Sequence, residues 1–266
     1  MKLLISSILV VSLALSAIAQ FATFPGVTRN NQGGGNFIPS VAASADYTNG
    51  MINWLVGDGV TNNGSSIVTW LDQSGNNYHT PGETHTTPPV AYTSQLNGHT
   101  IVEFTNNTAQ GCWLAMSNVF SPLVACDVFM VIRCWDDPPA GATEVIASIG
   151  AGDTRSFFPS QDGFINDCIG STTLFRTVDP TPSLTSWRLY EVQATNNWWT
   201  NSLDTTRLWG TNNNTVGFNT TPKLGHDVRP RAFDLAELRF YTNVLTTSQR
   251  SSVEQALKTK YNLTGF

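Results

Sequence analysis

The stretch Asn196-Asn197-Trp198-Trp199-Thr200-Asn201-Ser202, followed by Trp209 and Asn212-Asn213-Asn214, carries the residue types that bind sugars. Flat indole faces stack on the C–H side of a sugar ring, and amides exchange hydrogen bonds with its hydroxyls. On a strand, successive side chains alternate, so Trp198 and Trp199 point to opposite faces. One then enters the core; the other stands on the sheet unless a loop covers it. On this basis Trp199, Trp209 and Asn201 are candidate ligand contacts. Trp135 and Tyr78 are isolated aromatics of the same kind.

A second grouping is Trp70-Leu71-Asp72-Gln73-Ser74-Gly75-Asn76-Asn77. Asp72, Ser74 and Asn76 are spaced like the start of a calcium loop, although no bidentate Glu follows. The alternative, which the chemistry favours, is a tight turn. There Asp72 accepts backbone N–H bonds, Gly75 takes positive φ and Trp70 packs inside.

Glycoside hydrolysis needs two carboxylates in one cleft. The chain has six Glu, and no two are close in sequence. Asp234 and Glu237 are three apart on a predicted strand, so strict alternation sends them to opposite faces. The same-face neighbour of Glu191 is Gln193. A pair assembled from distant strands stays open. His79 and His85 flank Glu83 in a loop, but a zinc site there needs ligands from elsewhere. No Gly-x-Ser-x-Gly nucleophile motif occurs.

These residues must be positioned by short strands. Apolar runs separated by Gly, Asn, Pro and Asp predict strands at Met51–Val56, Ile67–Leu71, Thr100–Phe104, Val128–Arg133, Glu144–Ile149, Ser186–Ala194, Pro222–Leu224 and Phe233–Tyr241. Many strands with turns between them indicate an all-β sandwich or barrel. In the last strand, alternation puts Phe233, Leu235, Glu237, Arg239 and Tyr241 on one face. One helix is expected at the C-terminus. Thr246 and Gln249 form a capping box, and Val253, Ala256, Leu257 and Tyr261 make an apolar stripe that packs on the edge or end of the sandwich.

Residues 1–19 have the charge, apolar run and small residues of a secretory signal peptide, with cleavage after Ala19. Residues 20–45 are Gly-, Asn- and Ser-rich and predict a flexible leader; 46–266 predict one domain. The net charge is -5, with no basic patch, which argues against nucleic acid and anionic membranes as partners. No later run is long enough to span a bilayer. In a secreted chain, the four cysteines favour two disulfides, for which Cys112–Cys126 and Cys134–Cys168 are the expected pairs. Asn63, Asn106, Asn213, Asn219 and Asn262 stand in glycosylation acceptor triplets.

Trp54-Leu55-Val56, Gly59-Val60, Val68 to Asn77, Pro88-Pro89, Leu96-Asn97-Gly98-His99 and Val102-Glu103-Phe104 occur in an order that resembles LamG-like jelly-roll domains of the concanavalin A-like lectin/glucanase superfamily. The segment Ala236-Glu237-Leu238-Arg239-Phe240-Tyr241, with Val244-Leu245, a helix and Lys260-Tyr261-Asn262-Leu263, resembles that family's closing strand and helix. The resemblance implies a two-sheet antiparallel jelly roll. Glucanases of the superfamily carry a Glu-x-Asp-x-(x)-Glu strand, which this sequence lacks. The expectation is therefore a secreted, non-catalytic module that binds carbohydrate or an extracellular glycoprotein, with calcium as a conceivable cofactor. A structural or adhesive extracellular protein is the alternative; a polysaccharide hydrolase or lyase is the second alternative.

Overall fold

The computed structural model describes residues 46–265 apart from 63–65, 84–86, 106–110, 139–144, 153–154 and 228–230. The predicted signal peptide and leader, Asn63, Asn106 and His85 lie outside the described residues. The strands are β1 (Met51–Asn62), β2 (Ile67–Asp72), β3 (Thr80–Pro81), β4 (Val90–Leu96), β5 (His99–Phe104), β6 (Cys112–Ala115), β7 (Ala125–Cys134) and β8 (Ala147–Gly150). They continue with β9 (Asn166–Asp167), β10 (Phe175–Arg176), β11 (Arg188–Thr195), β12 (Trp198–Leu203), β13 (Thr206–Thr211), β14 (Phe218–His226) and β15 (Phe233–Tyr241). Helix α1 (Thr247–Tyr261) follows.

A 10-stranded sheet runs β13-β12-β11-β7-β15-β1-β2-β3, with β5 joining β15 and β4 joining β5. A 3-stranded sheet, β6-β14-β8, and a 2-stranded β10-β9 ribbon complete the fold. The pairings are antiparallel. The fold is thus all-β, a sandwich with one C-terminal helix, as the strand pattern predicts.

Alternation divides the large sheet between two cores. Val128, Met130 and Ile132 of β7, with Tyr190 and Val192 of β11, face inward in one cluster with Leu114, Ile149 and Leu224 of the small sheet. Phe129 and Val131 of β7, Leu189 of β11 and Ala236 of β15 belong to a second cluster on the outer face, covered by Val253, Leu257 and Tyr261 of α1. The helix therefore lies on the outer face of the sheet, not at the edge or end expected from sequence. The reason is that outer apolar row, which would otherwise meet water. Both halves of the capping box form between Thr246 and Gln249, and Asn262 ends the helix in the left-handed conformation at φ 49.

Tight hairpins order the Trp-rich region. Asn197 takes φ 67 between β11 and β12, and Asp204 and Thr205 take φ 49 and 66 between β12 and β13. The paired positive φ values of Asp204 and Thr205 match the right-handed strand twist.

The last strand departs from strict alternation. Across β7, Asp234 faces Arg133, Leu235 faces Ile132 and Glu237 faces Val131, so Ala236 is an extra residue. The bulge rotates the rest of the strand by one side-chain position. Leu235, Leu238 and Phe240 enter the main core, while Asp234 and Glu237 share the outer face. The expected separation of these two carboxylates is overturned by that one residue.

Neither expected disulfide forms: Cys112, Cys126, Cys134 and Cys168 are buried thiols. Cys112 sits on the small sheet opposite His226, whereas Cys126 and Cys134 lie at the two ends of β7 in the large one. The sulfurs have other partners: Cys112 Sγ accepts from Thr105 N at 3.3 Å. Cys134 donates to Phe158 O, and Cys168 to Arg155 O at 3.3 Å.

Candidate functional site

The sequence-selected aromatics separate by exposure. Trp199 is 0% exposed, and its indole N–H donates to Ile169 O at 2.8 Å. Its ring packs 5.0 Å from Phe175 and 6.0 Å from Trp209, centroid to centroid. Asn201 is also fully buried and donates to Tyr190 Oη at 3.2 Å. Trp209 is half-buried against Phe175 and the core. Trp199 and Asn201 are thus structural, which corrects their assignment as ligand contacts; Trp209 keeps part of its surface open, and Asn196, Asn197, Asn212 and Asn213 are exposed. Tyr78 and Trp135 remain exposed.

The Asp72 loop is a turn. Asp72 Oδ1 accepts from the backbone N–H of Trp54 (2.8 Å) and Ser74 (3.0 Å). Its Oδ2 accepts from Ser74 Oγ (2.8 Å) and Tyr78 N (3.0 Å). Asn76 Nδ2 points to Met51 O and Ser74 Oγ, both at 3.0 Å. Four donors fill the Asp72 carboxylate, so Asp72, Ser74 and Asn76 do not fit a calcium site. The suggested His/Glu grouping is likewise spread out. His79 Nδ1 accepts from Asp72 N, and Glu83 accepts from Ala115 N.

Trp135 behaves differently. It is 50% exposed and directly follows β7. An exposed indole is ordinarily free to change rotamer. This one is anchored, with its Nε1 donating to Asp234 Oδ1 at 3.3 Å and its backbone N to Ala232 O at 3.2 Å. Asp234 is itself held by Arg133, whose Nε lies 2.6 Å from Oδ2; the side chains are 40% and 1% exposed, respectively. The Arg133 guanidinium stands 5.0 Å over the Trp187 ring, a cation–π arrangement. Glu103 on β5 is directly across from Asp234. Burial raises the pKa of Glu103, and the negative charge of Asp234 adds to this while Arg133 opposes it. Three adjacent strands, β5, β15 and β7, therefore present an exposed aromatic, a guanidinium and two carboxylates on one face. Sequence reading selected Trp135, weighed Asp234 only as a catalytic acid, and missed Arg133, Trp187 and Glu103. The only available signal was an Arg two residues before a Trp on a strand end.

The chain has 8 Trp, all among the described residues, and Trp135 is the one that is exposed. Elsewhere the protein covers its own indoles. Lys223 Nζ lies 4.3 Å over the Trp113 ring, and the Arg239 guanidinium 5.0 Å over that of Trp54. The site can bind a flat apolar ring face and hydrogen-bond polar substituents beside it. As a hydrolytic pair, Glu103 and Asp234 lack an accessible second member. Asp234 is closed from solvent and engages both oxygens with Arg133 and Trp135.

No family model matches the chain, and no curated protein does. Solved structures do. One is Trypanosoma rangeli sialidase in complex with sialic acid, at 12% identity and TM-score 0.56, covering 79% of this chain and 33% of that one. Another is the receptor binding domain of botulinum neurotoxin C/D mosaic serotype, at 11% identity and TM-score 0.57, covering 79% and 52%. This chain spans about a third of the sialidase and about half of the toxin domain. At such identities the likeness is one of fold, a jelly-roll-like β-sandwich.

Proposed function

We propose that this chain is a secreted, non-catalytic carbohydrate-binding module of the concanavalin A-like, LamG-like type, with Trp135 as its stacking platform. The observation that carries this reading is the anchored, half-exposed indole. Leaving half of so large an apolar side chain in water forgoes burial free energy. Here, in addition, the buried Asp234 carboxylate, itself held by Arg133, fixes its orientation. A preorganised flat face beside polar groups suits a sugar, since little rotamer entropy is lost on contact. The matched sialidase was solved with sialic acid, and the matched toxin domain is a receptor binding domain; both accord with the reading.

Secretion rests on residues 1–19. The thiol arrangement is compatible with an oxidising compartment. Burial raises the pKa of Cys112 and pushes Cys134 up to about 12, so the nucleophilic thiolate is scarce. Among the acceptor asparagines, Asn213 and Asn262 are exposed and available for modification. Asn219 is half-buried and commits its nitrogen to Ser148 O at 3.2 Å. The test of function is a glycan array probed with the wild-type mature chain and with Trp135→Ala. The reading requires one or more glycans to bind the wild type and to lose the variant. An array without binders, or binders indifferent to Trp135, would refute it.

A further inference from the structure

We propose that the Trp135 site selects sugars bearing a free amino group, as in oligomers of 2-amino-2-deoxyglucose, over acetylated, neutral or acidic ones. The inference deepens, and rests on, the reading of Trp135 as a sugar platform. Its first support is Glu103. This half-buried carboxylate, directly across from Asp234, has no hydrogen-bond or ion-pair partner among the described residues. Trp135 and Glu103 belong to strands on either side of β15. Two strand spacings are roughly 10 Å, a span that a short oligosaccharide stacked on the indole can bridge. The second support is the charge around the ring. Asp136 and Asp137 directly follow Trp135, and the Asp136 side chain is 56% exposed. Asp137 lines a surface groove with Asp179. The cations on this side are already engaged, Arg133 with Asp234 and Arg231 with Asp136. An anionic glycan would meet Glu103, Asp137 and Asp179, none of which has an ion-pair partner among the described residues. An ammonium would find Glu103 as a charge-assisted acceptor and the indole face as a cation–π partner.

The experiment is calorimetric titration of the mature chain with four probes of equal length: glucosamine, N-acetylglucosamine and glucose oligomers, and a sialylated oligosaccharide. Glu103→Gln and Trp135→Ala are titrated in parallel, with near-ultraviolet circular dichroism confirming that each variant is folded. The glucosamine oligomer is expected to bind about tenfold or more tightly than the others, as one charge-assisted contact supplies. Glu103→Gln should erase that preference, and Trp135→Ala should weaken every sugar. Equal binding of acetylated and amino oligomers, or a preference unchanged in Glu103→Gln, overturns the specificity and spares the platform. Binding of no probe overturns the specificity and leaves the platform to the array, whereas binding unchanged in Trp135→Ala overturns both.

Discussion

Trp199 and Trp135 are chemically the same side chain in the same sheet system, and they have opposite fates. Trp199 lies in the sandwich interior, its N–H bonded to a backbone carbonyl and its face packed on Phe175 and Trp209. Trp135 stands at a strand end with half its surface in water and its N–H on a buried carboxylate. Richness in Trp and Asn marks the first region in the sequence, yet Trp199, Asn201 and Asn214 of it are consumed by packing. The difference teaches that an aromatic is free to bind only where the protein fixes its edge and leaves its face bare.

The comparison breaks most visibly under truncation. Trp199→Ala should cost about 3–5 kcal/mol in urea unfolding, because it empties a fully buried ring site. Trp135→Ala should cost only about 1 kcal/mol, roughly what one lost hydrogen bond to the Asp234 carboxylate is worth. If the two variants were equally destabilised, the distinction between packed and presented indoles would be lost.

The acids under α1 sharpen the same contrast between committed and uncommitted groups. Glu237 accepts from Trp54, Arg239, Lys260 and Tyr261. Burial acts to raise its pKa, but those cationic and hydrogen-bonding partners outweigh it and hold the carboxyl below its usual range. Asp127 and Glu191 are buried side by side with Arg250 as the nearby cation, and their pKa values are raised, chiefly by desolvation. The folded state therefore holds protons on that pair more tightly than the unfolded chain does. Its contribution is complete below the ordinary carboxylate range and is lost as pH rises from there through neutrality. Glu237 works in the opposite direction, with its contribution present above that range and lost on acidification. Melting temperatures should fall from mildly acidic to neutral pH in the wild type, and Asp127→Asn should flatten that decline. An unchanged slope would contradict the proton-sharing account.

A smaller effect is expected at the anchor. Asp234→Asn keeps the side chain's shape and removes the charge that binds Arg133. Sugar affinity should drop a few-fold, less than in Trp135→Ala, as the indole loses orientation but keeps its face. Titration of both variants with one glycan ranks them.

Much of the frame was legible from residues alone. The alternating runs located the principal strands, and Thr246, Gln249, Val253, Leu257 and Tyr261 located and capped the helix. The site was not legible, for two physical reasons. Its members come from β5, β7 and β15, and Asp234 and Trp135 are 99 residues apart in the chain. Periodicity also cannot foresee the extra residue at Ala236, which changes which acids share a face. The helix docking face was missed because the outer row of Phe129, Val131 and Leu189 is visible only once β7 and β11 pair.

Indole-resolved NMR gives the most direct test of Trp135 as the contact surface. The mature chain, labelled with 15N-tryptophan, presents one indole signal for each of its 8 Trp. The Trp135→Phe spectrum assigns the relevant one. On titration with a bound oligosaccharide, the Trp135 signal should shift most while that of Trp199 stays in place. A shift confined to Trp54, Trp113 or another indole, with Trp135 unmoved, would contradict the account.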